Sequence, residues 1–273
     1  MFRVRLDVPS PAPERLLVEG PALHHMRVAR VMPGERVEVF DGRGRAWSAR
    51  LESVDDGGAV LRLGVERRDG VGRLVVLIQG LPKGDKLDWV LQKATELGVS
   101  AVWPVLTERS VSRPKPEALG TRHARWQRIV EEAARQSGRA DVPEVAALRP
   151  LKEAAQALGA GERLLILDEE EQGERLGNVV GRSADAERPV ALVVGPEGGL
   201  AREEVRMLCD RGGVPVSLGP LVLRTETAGL AASRSCVIWT DCSARSQRPV
   251  RRGRRSPRPR PMRPGPIGGS GGW

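Results

Sequence analysis

Short runs of alternating apolar and polar residues, separated by turn residues, fill the first seventy positions of the chain. Apolar side chains recur at every second position in 35–40, and comparable runs occupy 47–54 and 59–65. The turns between these runs are rich in Gly and Asp, as is typical of antiparallel strands. The pattern predicts a small antiparallel β-barrel over residues 1–72, which ends at a polar, Gly-containing boundary at 67–72.

The periodicity changes after this boundary. Five apolar runs are typical of strands buried on both faces of a parallel sheet, and they lie at 74–78, 101–106, 163–167, 190–194 and 214–218. Between them, apolar residues repeat at helical spacing. One such helix begins at Asp85 and is closed by Gly98, a second is capped near Thr121 and ends at Gly138, and a third covers 202–211. Strands that alternate with helices predict an α/β domain with a mostly parallel sheet over residues 73–242.

Composition and charge narrow the class of protein. The 273-residue chain has a formal net charge of +9, yet residues 243–273 hold nine Arg and no acidic residue, so the remainder is electroneutral. This Arg-, Pro- and Gly-rich tail is predicted to be disordered.

No apolar run approaches the roughly 18 residues that span a bilayer, and the N-terminus lacks the apolar core of a signal peptide, so we expect no membrane partner and a cytoplasmic location. Three Cys and three His without zinc-ligand spacing predict no metal site.

A Gly-rich turn, Gly195-Pro-Glu-Gly-Gly199, follows the predicted strand at 190–194 and precedes a predicted helix. Ligands of open parallel sheets bind beyond the carboxyl ends of the strands, and Gly lets backbone N–H groups approach them. The turn lacks the spacing of a dinucleotide-binding motif or a P-loop, so NAD and ATP are not indicated. An ordinary connection between a strand and a helix would have the same composition.

A second segment, residues 218–229, places a cation, two hydroxyls and a carboxylate within one turn of a predicted helix start: Arg224, Thr225, Glu226 and Thr227. A Thr in this position is typical of a helix cap, and a Glu is typical of the first turn, where it complements the helix dipole. The same side chains are also suited to bind a ligand at the end of a strand. The pattern by itself leaves both interpretations open.

Basic residues outnumber acidic ones over residues 108–139. On a helical wheel, Arg125, Arg128 and Arg135 lie away from the apolar face that contains Trp126. A solvated helix face is one explanation of this run. A surface that binds nucleic-acid phosphates is the other.

Taken together, these segments resemble the ribosomal RNA small subunit methyltransferase E family. The resemblance runs in order along the chain to about Ala232. It is carried by His24-His25-x-x-Val28-x-Arg30-Val31, Gly34 to Gly42, Lys83-Gly-Asp-Lys86, Gln92 to Gly98, Glu108-Arg-Ser110, Arg125-Trp126, Ile129-x-x-Glu132-Ala133-x-x-Gln136-Ser-x-Arg139, Gly195-Pro-Glu-Gly-Gly199 and Leu223-Arg-Thr-Glu-Thr-Ala228. Ordered blocks of this kind are far more specific than any single motif.

The resemblance implies an N-terminal PUA-like RNA-binding barrel and a SPOUT-type sheet with a trefoil knot, one of the rare exceptions to unthreaded chains. It implies S-adenosyl-L-methionine (SAM) as cofactor, a homodimer, and methylation of N3 of one uridine in 16S rRNA, so that this RNA or the small ribosomal subunit is the partner. The cofactor-binding residues carried over are Leu167, Gly195, Pro196, Glu197, Gly198, Gly199, Leu218, Gly219, Leu223, Arg224, Thr225 and Thr227. The candidate RNA-binding residues are Arg27, Arg30, Arg109, Arg113, Arg125, Gln136 and Arg139.

The chemistry of the implied reaction suggests catalytic roles. Uracil N3 is a weakly acidic imide, so its proton must leave before or during attack on the sulfonium methyl group. A guanidinium near the uracil carbonyls would stabilise the anion, and a carboxylate would accept the proton. We predict that Arg224 stabilises the anion and that Glu226 or Glu197 is the base or orients the substrate. The sequence does not choose between the two carboxylates.

Two other functions share part of the pattern. A non-catalytic rRNA- or ribosome-binding protein would keep the barrel and the basic helix, but it would need neither the 195–199 turn nor the 223–228 segment. Ribose 2′-O methylation of RNA by a related knotted enzyme is the other. The blocks shared with the uridine-N3 family disfavour it, although no single residue excludes it.

The end of the chain departs from the family pattern. After about residue 232, the apolar positions expected of a final amphipathic helix have no obvious counterparts, which leaves that helix in doubt. A shifted reading frame from Ala232 restores much of the apolar spacing. We therefore hypothesise that the chain after Ala232 is a frameshift product, in preference to a polybasic arm that steers RNA.

Overall fold

A computed structural model describes residues 1–68, 74–159, 161–171, 173–180 and 188–246, with side chains as far as residue 237 in the last helix. These residues form two sheets, each with its own hydrophobic core. The predicted boundary at 67–72 lies largely outside the described residues, and so does most of the tail at 243–273. The division into domains therefore stays a prediction in its details.

The N-terminal sheet has five strands: β1 (Phe2–Arg5), β2 (Arg15–Val18), β3 (Arg36–Phe40), β4 (Arg45–Val54) and β5 (Ala59–Arg68), in the order β1-β3-β4-β5-β2. Helix α1 (Gly20–Val28) lies between β2 and β3 in the chain. Alternate side chains of the strands, among them Val37, Val39 and Trp47, are buried in the first core. The prediction of a fully antiparallel sheet is wrong in one pairing, because β1 pairs parallel with β3.

The second sheet is entirely parallel in its described pairings, and its main path is β12-β10-β11-β6-β7-β8. Its strands are β6 (Val75–Gly80), β7 (Ala101–Leu106), β8 (Glu144–Val145), β9 (Arg149–Pro150), which pairs with β7, β10 (Arg163–Leu167), β11 (Val190–Val194) and β12 (Val214–Val216). The helices are α2 (Lys86–Glu96), α3 (Pro116–Ser137), α4 (Leu151–Ala157), α5 (Leu176–Val180), α6 (Arg202–Cys209) and α7 (Thr225–Ser246). Apolar cores cover both faces of this sheet, as its continuous apolar strands require.

Helix α3 begins earlier than predicted, at Pro116 instead of near Thr121. Proline fits the first turn of a helix because the N–H that it lacks has no partner there. The helix buries Trp126, Val130 and Ala133 and ends at Gly138, whose φ of 86° is the left-handed conformation that favours glycine at a helix end.

The two sheets are joined by contacts at the C-terminal end of α3. The guanidinium of Arg3 donates hydrogen bonds to the carbonyl oxygens of Arg135 (2.8 Å), Arg139 (3.0 Å) and Ala134 (3.2 Å), and it pairs with Glu38 at 2.8 Å. Carbonyls at the end of a helix lack intrahelical partners, so a cation from another element satisfies them. These bonds fix the N-terminal sheet against the helix that carries most of the basic run.

Helix α7 extends past residue 232, where the sequence pattern left the helix in doubt, and reaches Ser246. Its described buried positions are mostly small residues, Gly229, Ala232, Ser233 and Cys236, which recur at helical spacing. Small side chains let a helix lie close to a sheet, and α7 contacts β6 and β11. A search for large apolar residues therefore overlooks this face. The frameshift hypothesis and the knot stay predictions.

Candidate active site

A cavity of about 450 Å³ opens at the carboxyl ends of β10, β11 and β12, which is the edge where ligands of open parallel sheets bind. Its walls come from the loops that follow these three strands, from the start of α7 and from Lys86 at the start of α2. The predicted residues that line it are Leu167, Gly195, Pro196, Glu197, Gly199, Leu218, Gly219, Leu223, Arg224, Thr225 and Glu226. Chain segments that lie far apart in the sequence thus form one site.

The turn after β11 is folded so tightly that only glycine fits at two of its positions. A Cβ atom on Gly195 would lie 2.6 Å from the carbonyl carbon of Gly199. Gly199 itself has a φ of 69°. The turn also lies against the end of β6, where a Cβ on Gly80 would lie 2.7 Å from the ring nitrogen of Pro196. The glycines therefore let the backbone itself form the cavity wall.

Gln79, buried at the end of β6, connects this turn to α7. Its Nε2 donates to Oγ1 of Thr225 at 2.9 Å and to the carbonyl oxygen of Gly80 at 3.1 Å. The hydroxyl of Thr225 in turn donates to the carbonyl oxygen of Gly195. The side chain of Thr225 is thus committed to protein contacts, and it fixes the first turn of α7 beside the Gly-rich turn.

Three ionisable side chains meet on one wall of the cavity. The ammonium of Lys86 lies 2.8 Å from Oε1 of Glu197 and 3.8 Å from Oε2 of Glu226. Burial acts to raise the pKa of Glu197, but the hydrogen bond from Lys86 and the backbone N–H of Lys83 outweigh it and hold this pKa below its usual value. The hydrogen bond to Glu197 also raises the pKa of Lys86, so both groups are charged at neutral pH.

The guanidinium of Arg224 lines the same cavity and is exposed. Within the described part of the chain it forms neither a hydrogen bond nor an ion pair, so its donors remain available to a ligand. The adjoining loop presents two apolar side chains to solvent, Leu221 at 75% and Val222 at 83% exposure.

An ion pair with a buried aspartate lies at the end of β10, where Asp168 lines the cavity. Asp168, which follows β10, accepts two hydrogen bonds of 2.8 Å from the guanidinium of Arg202 at the start of α6. These bonds hold the pKa of Asp168 below its usual value, although burial acts in the opposite direction. Because the aspartate is buried and the arginine is only partly exposed, the pair fixes the end of β10 against α6.

We expect Asp168→Asn to lower the free energy of unfolding by about 1.5–3 kcal/mol at pH 7, since it removes two charge-assisted hydrogen bonds. A lowered folded-state pKa adds stability above the unfolded value of about 3.9, and this stability is lost as the pH falls through the folded pKa. The difference in free energy of unfolding between the variant and wild type should therefore have its full size at pH 7 and shrink below about pH 4. Urea unfolding across this range measures it. Asp7→Asn, at an exposed carboxylate, is the control, and a difference that stays constant down to pH 3 would contradict the prediction.

Two predicted cofactor residues do not line the cavity. Gly198 faces outward, with its carbonyl oxygen accepting a bond from Arg109, and Thr227 lies on the exposed side of α7. The sequence analysis in turn assigned no role to several residues that do line it: Lys86, Asp168, Glu169, Ser217, Pro220, Leu221 and Val222. Lys86 belongs to a block of the family resemblance and Asp168 directly follows a predicted strand, so both carried a usable signal.

Several arginines predicted to bind RNA are committed to contacts within the protein. Arg109 donates to the carbonyl oxygen of Gly198 at 2.9 Å, and Arg113 donates to two backbone carbonyls of its own loop. Arg139 pairs with Asp141 and donates to the carbonyl oxygens of Thr95 and Val99. These contacts hold loops and helix ends in place. An RNA-binding role for these three residues stays a prediction.

The other predicted RNA-binding residues lie in two places. Arg125 and Gln136 line a groove between α2 and α3, where Arg125 pairs with Asp88 and Asp85. Arg27 and Arg30 lie at the end of α1, where Arg27 bonds to the carbonyl oxygen of Asp55. The basic excess of residues 108–139 is therefore partly neutralised by acidic residues of other segments.

Over the residues described, no group of three or more His, Cys, Asp or Glu side chains is arranged to hold a metal ion. No helix in that part of the chain is long and apolar enough to cross a membrane.

Family models identify the class of protein to which this fold and cavity belong. A family model described as an RNA methyltransferase domain matches residues 72–236, and one described as an RNA methyltransferase PUA domain matches residues 18–64. The chain is therefore an RNA methyltransferase by family, with the N-terminal PUA-like unit and the mostly parallel sheet predicted from its sequence. These two parts of the predicted fold class are confirmed, and the knot stays a prediction.

Named relatives narrow the class further. The ribosomal RNA small subunit methyltransferase E of Bacillus subtilis is 34% identical over 231 residues, which cover 82% of this chain and 90% of the relative. Its namesake from Mycobacterium tuberculosis is 36% identical over 224 residues, covering 80% and 83%. The chain belongs to the ribosomal RNA small subunit methyltransferase E family, as its sequence blocks predicted.

A solved relative also shares the fold. The crystal structure of the ribosomal RNA small subunit methyltransferase E of Neisseria gonorrhoeae bound to S-adenosyl methionine superposes with a TM-score of 0.77 at 33% identity, covering 89% of this chain and 99% of that one. A methyltransferase of Legionella pneumophila in complex with SAM superposes with a TM-score of 0.72 at 27% identity, covering 88% and 97%.

Proposed function

We propose that this protein transfers the methyl group of SAM to N3 of a specific uridine in small-subunit (16S) rRNA. The names of its relatives support rRNA of the small subunit as the substrate, and two solved relatives support SAM as the methyl donor. The observation that carries the proposal is the cavity at the strand ends, which combines a backbone cradle with an unpaired guanidinium and the carboxylates of Glu197 and Glu226. An enzyme that modifies rRNA acts where ribosomes are made, and this supports a cytoplasmic location for the protein.

The residues of the cavity fit SAM. Its volume of about 450 Å³ lies within the range usual for small-molecule sites. The turn around Gly195 and Gly199 presents bare backbone where any side chain would fill the space. The lining contains the four carboxylates of Asp168, Glu169, Glu197 and Glu226 and the two cations of Lys86 and Arg224. Arg202, outside the lining, neutralises Asp168, so one net negative charge remains, which favours a ligand bearing a sulfonium charge. The demethylated product has lost that charge and is expected to be held less tightly.

When bound, SAM supplies a methyl group made electrophilic by its sulfonium sulfur. The protein's own residues would position the donor and stabilise the developing charge. Backbone groups of the Gly-rich turn would hold the donor so that the methyl group faces the uracil, which replaces a chance encounter with a fixed geometry. The free guanidinium of Arg224 would donate to a uracil carbonyl oxygen and stabilise the negative charge that develops when N3 loses its proton.

RNA recognition is assigned to the N-terminal unit and the basic residues around it. The match to a PUA domain of RNA methyltransferases supports this role for residues 18–64. Arg27 and Arg30 at the end of α1 are the predicted phosphate contacts on that unit. The homodimer implied by the family resemblance remains part of the proposal, and exposed Leu221 and Val222 beside the cavity are a surface that a second subunit would cover.

Methyl transfer from labelled SAM tests the proposal directly. The protein is incubated with 16S rRNA and, separately, with small ribosomal subunits, and the digested nucleosides are identified by mass spectrometry. We expect label in 3-methyluridine at a single position. Label in a 2′-O-methylated nucleoside would instead favour the ribose chemistry, and RNA binding without label transfer would favour a non-catalytic protein.

A further inference from the structure

Two of the carboxylates that line the cavity, Glu197 and Glu226, lie beside Lys86, and they differ in what surrounds them. We propose that Glu226, and not Glu197, accepts the N3 proton of the uridine. This inference rests on the proposed function, because it assigns a residue to a step of that reaction. The assignment chooses between the two carboxylates that the sequence pattern leaves open.

Glu197 is occupied by donors from the protein. Its Oε1 accepts a hydrogen bond of 2.8 Å from the ammonium of Lys86, and the backbone N–H of Lys83 lies 3.1 Å from Oε1 and 3.3 Å from Oε2. Donors of this kind stabilise the ionised carboxylate and so disfavour its protonation. Glu197 is therefore suited to hold Lys86 in place and poorly suited to act as a base.

Glu226 is in the opposite situation. Its Oε2 is buried and accepts no hydrogen bond within the described residues, and the ammonium of Lys86 lies 3.8 Å away. The side chain keeps 15% exposure and belongs to the cavity lining, so part of it faces the substrate side. A carboxylate oxygen that accepts no hydrogen bond within the protein keeps its lone pairs for an N–H of the substrate.

The charges around Glu226 also match the edge of uracil. On that edge the N3–H donor lies between two carbonyl acceptors, at C2 and C4. Glu226 shares the cavity wall with two cations, Arg224 and Lys86, each able to donate to a carbonyl oxygen. A carboxylate together with cationic donors therefore complements a donor flanked by acceptors.

The reaction takes two stages, because the base and the methyl carbon approach the same position on N3. First, the N3–H bond breaks, its electron pair stays on N3, and the proton binds the carboxylate of Glu226. The uracil anion is then held by Arg224 and Lys86. Next, the N3 pair forms a bond to the methyl carbon as the carbon–sulfur bond breaks, and that bond's electrons neutralise the sulfonium. Glu226 afterwards releases its proton to water.

Glu226→Gln tests the assignment because it removes the base but keeps the shape of the side chain. In single-turnover assays at pH 7 we expect a rate lower by roughly a hundredfold to ten-thousandfold. The loss should shrink as the pH rises, since the imide then ionises without help. It should also shrink on rRNA transcribed with 5-fluorouridine, whose N3 proton is more acidic. Glu226→Asp, which keeps a carboxylate of shorter reach, should retain more activity than Glu226→Gln.

Glu197→Gln gives the contrast. It loosens Lys86, so its rate should also fall, but neither high pH nor 5-fluorouridine should restore it. Glu203→Gln, at an exposed carboxylate of α6, is the matched control and should keep the wild-type rate. A Glu226→Gln variant that is as fast as wild type, or a rescue confined to Glu197→Gln, would overturn the assignment. If the wild-type protein makes no 3-methyluridine, the proposed function itself fails.

Discussion

Arg224→Ala is expected to lower turnover by roughly a hundredfold to a thousandfold, the usual cost of removing one donor to a developing anion. The guanidinium of Arg224 lines the cavity and has no partner within the described structure, so it is free to bind the uracil carbonyl. SAM affinity should change by less than about threefold, because the backbone of the Gly-rich turn, and not this side chain, would hold the donor. Single-turnover methylation and titration calorimetry with SAM measure the two effects separately.

The controls for this variant separate charge from shape. Arg224→Lys keeps a cation but loses the planar pair of donors, so it should recover only part of the rate. Arg206→Ala removes an exposed arginine of α6, 3.6 Å from Glu203, and should leave both rate and affinity unchanged. Equal losses of turnover and of SAM binding in Arg224→Ala would instead make this arginine a cofactor ligand.

Gly195→Ala is expected to weaken SAM binding by roughly a hundredfold, as displacements of about 1 Å in a site can do. The added Cβ would lie 2.6 Å from the carbonyl carbon of Gly199 and 2.9 Å from its Cα and oxygen, so the backbone must move. Backbone cannot swing aside as the end of a side chain can, and the displaced turn forms the cavity wall. Titration calorimetry with SAM measures the loss, and circular dichroism with thermal unfolding establishes that the variant folds.

Gly198→Ala is the matched control for this position. A Cβ there would lie 3.4 Å from Cβ of Arg109, which is ordinary contact, and the residue does not line the cavity. SAM affinity should therefore stay within a few fold of wild type. If the two variants lose the same affinity, the tight fold of the turn is not what holds SAM.

Local patterns predicted the central strands accurately. Strands β7, β10 and β11 coincide with predicted apolar runs, and α7 begins at Thr225 as the sequence indicates. Strands β1 and β2 and helices α1, α4 and α5 were not predicted, since most are too short to show a period. The parallel pairing of β1 with β3 depends on contacts between residues far apart in the chain, and neighbouring residues carry no signal of it.

The sequence alone determined the family, the parallel sheet and two of the segments that form the cavity, because glycine turns and apolar strands are local features. Only the tertiary structure decided which charges are free. Arg109 and Arg139 are held by backbone carbonyls of other segments, whereas Arg224 is not. Lys86 reaches Glu197 across 111 residues of sequence and leaves Glu226 without a donor. The partner of a charged side chain is set by the fold, so the proposed choice of Glu226 as the base rests on tertiary contacts and not on the motif.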